Sequence, residues 1–169
     1  MVIIQPKNQQ GIVLVVSLIM LLLLTMLGIS GMKSTVLEEK MAGNYKDSNM
    51  AFQSAEAALR AGETYLRTTV TLPIFDGTTT GLYQPTTSGA AQWNAVNWAD
   101  AGQVIAYAGS LSDVADAPDY MIEELLPVPE PGGSLETGVT DEAKYYRVTS
   151  RAVGGTTTAV VVLQSTYKR

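Results

Sequence analysis

The sequence predicts an α+β protein: one long N-terminal helix, membrane-spanning in its first half and amphipathic in its second, packed on a small C-terminal antiparallel β-sheet. Three observations carry this prediction. The stretch Gly11 to Met32, GIVLVVSLIMLLLLTMLGISGM, contains no charged residue. Behind it, apolar and small residues recur at spacings of four and three as far as Leu66, which is the period of one helical face. Near the C-terminus, two strand-like runs flank Gly154-Gly155, the pattern of a β-hairpin.

The first element is long enough to cross a bilayer. A helix from Ile12 to Met32 rises about 1.5 Å per residue and reaches roughly 30 Å, the thickness of the hydrocarbon core. Thirteen of its residues are Leu, Ile or Val, so insertion is favourable by several kcal/mol on the order of −0.3 to −0.6 each. Ser17, Thr25 and Ser30 can bond back to helix carbonyls and oppose this little. A cleaved secretory signal is the weaker reading, because its apolar region spans about 7–15 residues and ends in a small-residue cleavage site. Here the run is longer and offers only Ile29-Ser30-Gly31. A permanent single-span anchor competes on equal terms at this point. Lys7 precedes the span while Lys33 and Lys40 follow it, so the basic residues say little about orientation.

Composition narrows the function classes. Of 169 residues, about 100 remain beyond the helix for a single globular domain with a modest core. The net charge of −5 and the absence of a basic cluster beyond the residues before the span argue against nucleic acid as a partner. Cysteine and histidine are both absent. No disulfide can staple the domain, and the commonest general base and metal ligand is missing.

The second element continues the first. Met41, Tyr45, Ser48, Phe52, Ala55, Leu59, Gly62 and Leu66 fall on one predicted helical face, and Lys46, Asp47, Glu56, Arg60 and Glu63 form the solvated stripe opposite. One helix from about Ile12 to about Arg67 accounts for both halves. Gly43-Asn44 interrupts it with a residue that costs about 1 kcal/mol in a helix interior; it marks either a bend or a close approach. Thr68-Thr69-Val70-Thr71 and Pro73 end the helix.

The rest reads as loops and strands. From Ile74 to Gly102 the chain is rich in Thr, Gly and Ala, with Gly77 to Gly81 the least structured. Trp93 and Trp98 stand in this loop as candidate partner contacts, although burial over a small core is the better reading. Val104 to Ala108 and Asp119 to Leu125 are candidate strands. Pro127, Pro129, Pro131, Gly132 and Gly133 exclude regular structure and open a loop to about Glu142. In the final hairpin, Tyr145 to Val153 alternates, Gly154-Gly155 is expected to supply positive φ angles, and Thr157 to Tyr167 returns. Consecutive apolar residues from Ala159 to Leu163 predict a strand covered on both faces.

No catalytic constellation is present, and no cofactor is implied. The neighbouring carboxylates Glu38-Glu39 and Glu123-Glu124 point to different faces and read as solvated surface. Asp113, Asp116 and Asp119 form a weak calcium candidate; their spacing is not that of a known Ca²⁺ loop, and a surface turn fits them better.

The junction Lys7-Asn8-Gln9-Gln10-Gly11-Ile12, a short polar leader ending in Gly before the apolar run, resembles a type IV prepilin. Four further stretches resemble PilX-type minor pilins: Glu38 to Asn44 and Ala51 to Glu63 after the span, and Pro118 to Leu125 and Tyr146 to Arg169 towards the end. The resemblance implies a type IV pilin-like fold and a non-enzymatic subunit. It divides the chain into a leader (1–11), a transmembrane or filament-core helix (12–32), an amphipathic continuation (33–72) and a β-rich periplasmic domain (73–169). It also implies cleavage by a prepilin peptidase between Gly11 and Ile12, and N-methylation of Ile12.

The family usually starts the mature chain with Phe and carries Glu at its fifth position; here those places hold Ile12 and Val16. A carboxylate in the bilayer costs about 2.5–3.5 kcal/mol and is kept where it has a partner, which in pilins is the amine of the preceding subunit. Val16 cannot make that pair, which suits a subunit with no predecessor, one that primes or caps the fibre at its tip. It reads equally as one more lipid-facing residue. The implied partners are membrane lipid before assembly, other minor and major pilins, the inner-membrane assembly platform and a tip adhesin. The implied location is the inner membrane and then the pilus at the cell surface. A minor pseudopilin of a type II secretion system and a permanently anchored periplasmic interaction protein are the alternatives.

Overall fold

The computed structural model describes residues 10–85, 91–126, 128–129 and 142–169. Helix α1 (Gln10–Thr68) is followed by strands β1 (Leu82–Tyr83), β2 (Ile105–Ala106), β3 (Asp119–Glu124), β4 (Val128–Pro129), β5 (Glu142–Ala143), β6 (Tyr145–Val153) and β7 (Val160–Lys168), with one 3₁₀ turn at Gln92–Asn94. The chain forms two compact units divided between Gly43 and Asn44. The helical hydrogen bonding is unbroken across that pair. The expected fold class is the observed one: the domain of the second unit is a helix on a small sheet.

The main sheet has the order β1-β3-β6-β7, with β2 also on β3. It is antiparallel apart from β1, which runs parallel to β3 in the register Leu82↔Ile122. β2 takes the other half of the same β3 edge, through Ile105↔Tyr120. β3 and β6 pair from Asp119↔Arg151 to Glu124↔Tyr146, and β6 and β7 pair over nine residues from Tyr145↔Lys168 to Val153↔Val160. Alternation then assigns faces. Tyr120, Ile122, Tyr146 and Val148 face α1 and form the core with Ala58, Leu59, Leu66, Phe75 and Leu82. Met121 points to the other face and joins a smaller cluster with Val96 and Val104.

The covered face of α1 is the predicted one at Ala55, Leu59, Gly62 and Leu66 and differs from it before them. Ala51, Ser54, Ala55, Ala58, Leu59 and Leu66 are buried, whereas Met41, Tyr45 and Phe52 are exposed and Ser48 is open too. Met41 belongs to the first unit. Beyond Asn44 the helix approaches the sheet closely, which favours Ala and Ser over aromatic rings. Gly62 marks the tightest point: a Cβ there would lie 2.5 Å from Val148 Cγ1 and 3.0 Å from Tyr120 Cδ2.

Asp47 also leaves its predicted solvated role. Its carboxylate accepts hydrogen bonds from the Thr156 N–H (3.1 Å) and the Thr156 hydroxyl, and these bonds hold its pKa below the usual carboxylate value. The connection from β6 to β7 is thereby tied to the helix. That connection spans Gly154 to Ala159, closed by Gly154 N–H donating to Ala159 O at 3.0 Å. It is not a two-residue turn, and neither Gly154 nor Gly155 takes a positive φ; among the described glycines Gly77 and Gly81 do. Gly154 is required for proximity instead, because a Cβ there would lie 2.4 Å from the backbone oxygen of Asp47.

Three further expectations are corrected. β7 is not covered on both faces: it is an edge strand, and its exposure alternates, with Val160 and Val162 open. Val161, Leu163, Ser165 and Tyr167 on one face are half-buried, while Val160, Val162, Gln164 and Thr166 on the other are exposed. Pro129 does not exclude regular structure, since β4 and β5 form a short ladder with Pro129↔Glu142; an edge strand of two residues loses little by lacking one N–H. Residues 127 and 130–141 of the expected loop lie outside the described residues. Finally, Glu123 is not solvated. It is 3% exposed and accepts a charged hydrogen bond from Arg147 Nη1 at 3.4 Å. Glu124, on the other face, is half-buried opposite Lys144 at 3.8 Å.

Candidate functional site

The feature with functional meaning is the apolar half of α1. From Ile12 to Met32 every large apolar side chain is about half exposed or more, including Ile12 (62%) and Val16 (50%). A helix keeps this much apolar surface open only where lipid or other protein covers it. Two of its hydroxyls bond back to the helix: Ser17 Oγ donates to Leu14 O at 2.9 Å and Thr25 Oγ1 to Leu22 O at 2.8 Å. By length and composition this helix can cross a membrane. Gly11 and Ile12 lie in its first turns; Met1 to Gln9 of the expected leader lie outside the described residues.

The two tryptophans are half-buried in the second unit, packed with Tyr83 against Val96, Val104 and Met121. Trp98 Nε1 donates to Trp93 O at 3.1 Å, which ties the 3₁₀ turn to the segment after it. Beside Trp98 lies an open cleft of about 240 Å³, walled by Asp116, Asp119, Arg151 and Thr157. Asp116 and Asp119 are thus brought together, whereas Asp113 does not line the cleft and takes a left-handed backbone, φ 66°. No group of three acidic side chains among the described residues is placed to hold a metal ion.

Asp119 is the group whose electrostatics sequence reading missed. Burial pushes its carboxyl up to about 6, the Asp116 charge adds to this, and its cross-strand partner Arg151 offsets part of it. The folded state therefore prefers the protonated form. Stability is gained as pH falls through 6 and is fully present below the unfolded value near 4. A rise of this size corresponds to at most about 3 kcal/mol, and partial exposure reduces it to about 1 kcal/mol. Asp119→Asn is expected to stabilise the domain by that amount near pH 7.5 and to make little difference near pH 4, as read by urea unfolding with tryptophan fluorescence. A loss of stability near pH 7.5 would show that the attraction to Arg151 outweighs the burial.

A long uncharged helix that continues into a helix-on-sheet domain defines a pilin-like, membrane-anchored subunit. Residues 10–60 match the family model described as PilX N-terminal, and residues 46–169 match the one described as type IV pilus assembly protein PilX C-term. The chain belongs to the PilX family of type IV pilus assembly proteins. No curated protein and no solved structure matches it. Members of this family work with other pilins in pilus assembly, and their part is structural rather than catalytic.

Proposed function

We propose that this chain is a minor pilin that primes or caps a type IV pilus, at or near its tip. The observation that carries the reading is an uncharged, fully open helix with Val16 five places into the mature chain, where pilins keep a Glu. Before assembly the helix Ile12 to Met32 holds the protein in the inner membrane with its domain on the periplasmic side. Prepilin peptidase removes Met1 to Gly11, and the new amino terminus at Ile12 is methylated. The helix then leaves lipid and packs against those of other pilins. Lipid and protein interior are similarly apolar, so the exchange is not opposed by a full transfer cost. The assembly platform supplies the work, and major and minor pilins with a tip adhesin are the partners.

The mass of the chain extracted from membranes tests the first half of this reading. In cells with prepilin peptidase the chain is expected to lack Met1 to Gly11 and to carry one added methyl on Ile12. An intact leader in cells with the peptidase and in cells without it alike would leave a permanently anchored protein. Gold labelling of sheared pili tests the second half. Label on the wild-type chain is expected at fibre ends, and Val16→Glu is expected to spread it along the shaft by restoring the missing pair. Wild-type label along the shaft would end the tip assignment.

A further inference from the structure

The cleft of about 240 Å³ beside Trp98 is walled by three parts of the second unit: the 98–99 segment, the 116–119 segment that leads into β3, and the end of β6 with the loop after it. Sheet register explains why its charges meet. Asp119 and Arg151 are cross-strand partners at the end of the β3–β6 ladder, so both side chains rise from one face of the sheet, the face away from α1. Asp116 joins them from the preceding loop, where its Oδ1 accepts the Ala117 N–H at 2.9 Å. Among the described residues, no ion pair closes between Arg151 and either aspartate.

These charges do not balance. Two carboxylates line the cleft against one guanidinium. From Thr68 to Ala143 the chain carries eleven acidic residues and no Lys or Arg, so two of the three walls have no cation to offer. On the third, Arg147 and Lys144 are committed elsewhere, to Glu123 at 3.4 Å and Glu124 at 3.8 Å. Burial and then the Asp116 charge push the Asp119 carboxyl up to about 6, and Arg151 offsets only part of this; a second cation in the cleft would favour the ionised form. Trp98 narrows the kind of cation. Its Nε1 is bonded to Trp93 O, so what it offers a ligand is its ring. A guanidinium stacks on an indole and also forks to carboxylates, which a hydrated metal ion or a compact ammonium does less well. We propose that the cleft receives an arginine side chain of a partner protein, its guanidinium against Trp98 and between the carboxylates of Asp116 and Asp119. The cleft lies in the second unit, and its occupancy does not depend on where the subunit stands in the fibre.

The test uses the full chain in detergent at low salt and two blocked pentapeptides, Gly-Gly-Arg-Gly-Gly and Gly-Gly-Glu-Gly-Gly. The arginine peptide is expected to shift the Trp98 indole N–H resonance and the amides of Asp116, Asp119 and Arg151 along a saturable curve, and the glutamate peptide to leave them in place. Asp116→Asn with Asp119→Asn keeps the shape of the cleft and removes both charges, and is expected to weaken binding at least about tenfold. Unfolding does not explain such a loss, because Asp119→Asn is expected to stabilise the domain near pH 7.5. Arg151→Gln acts with the opposite sign: it removes the competing guanidinium and is expected to tighten binding at least about threefold in the folded chain. Equal shifts with both peptides, or none with either, would overturn the proposal. So would undiminished binding in the double aspartate variant, or weaker binding in folded Arg151→Gln.

Discussion

Replacing Arg147 with Met is expected to destabilise the domain by about 2–4 kcal/mol, because it leaves the Glu123 carboxylate buried without its cation. The two partners are not equivalent. The Glu123 side chain is 4% exposed and that of Arg147 is 33% exposed. An arginine freed of its partner can turn its head to water, whereas the buried carboxylate cannot. Glu123→Gln is therefore expected to cost about 1 kcal/mol, clearly less than the loss of Arg147. Replacing the pair together, Arg147→Met with Glu123→Leu, is expected to recover most of the lost stability, since an apolar pair of similar volume carries no desolvation cost. Urea unfolding of the detergent-solubilised chain, followed by the fluorescence of Trp93 and Trp98, reads all three variants. Equal losses from the two single replacements would show that the pair behaves as an exposed one.

The same pair illustrates what the sequence could reveal. Strand β6 was legible residue for residue, because Tyr145 to Val153 alternates cleanly and Gly154 stops it. β3 was legible for a similar reason, from Asp119 on. The burial of Glu123 was not legible, because it depends on Arg147 standing opposite in the sheet and on a loop that folds over that face. Periodicity placed α1 but misjudged its covered side by about one residue, since the deciding factor is how near the sheet comes. That distance is set by Val148 and Tyr120 against Gly62, over 50 residues away in the chain. The apolar run from Ala159 to Leu163 looked like a central strand, and topology made it an edge. β1 gave no signal at all: two residues, Leu82 and Tyr83, form a strand only because β3 offers them a free half-edge. Of the candidate site, the open helix was legible from composition. Val16 was legible only as a departure from the family's pattern, since on its face it is one apolar residue among many.

Gly154→Ala is the second large effect, expected at about 2–3 kcal/mol, the range for forcing extra volume into a packed contact. Backbone conformation is not the cause, because Gly154 does not take a positive φ. Its added Cβ would lie 2.4 Å from the backbone oxygen of Asp47, and a helix backbone cannot swing aside as a flexible side chain can. The loop must lift, and with it go the bonds from Thr156 to Asp47 and the bond of Ala115 N–H to Gly154 O at 2.7 Å. Two loops and the helix part together. Gly155→Ala provides the contrast: its nearest contact is the backbone oxygen of Asp113 at 3.4 Å, within ordinary van der Waals range, so about 0.5 kcal/mol or less is expected. Removing the carboxylate alone, by Asp47→Ala, separates the two contributions, since it deletes the Thr156 bonds and leaves the tight contact to the backbone in place. If Asp47→Ala costs as much as Gly154→Ala, the loop is held by its hydrogen bonds and the close approach is incidental. If it costs clearly less, the glycine is there because the loop and the helix backbone must nearly touch.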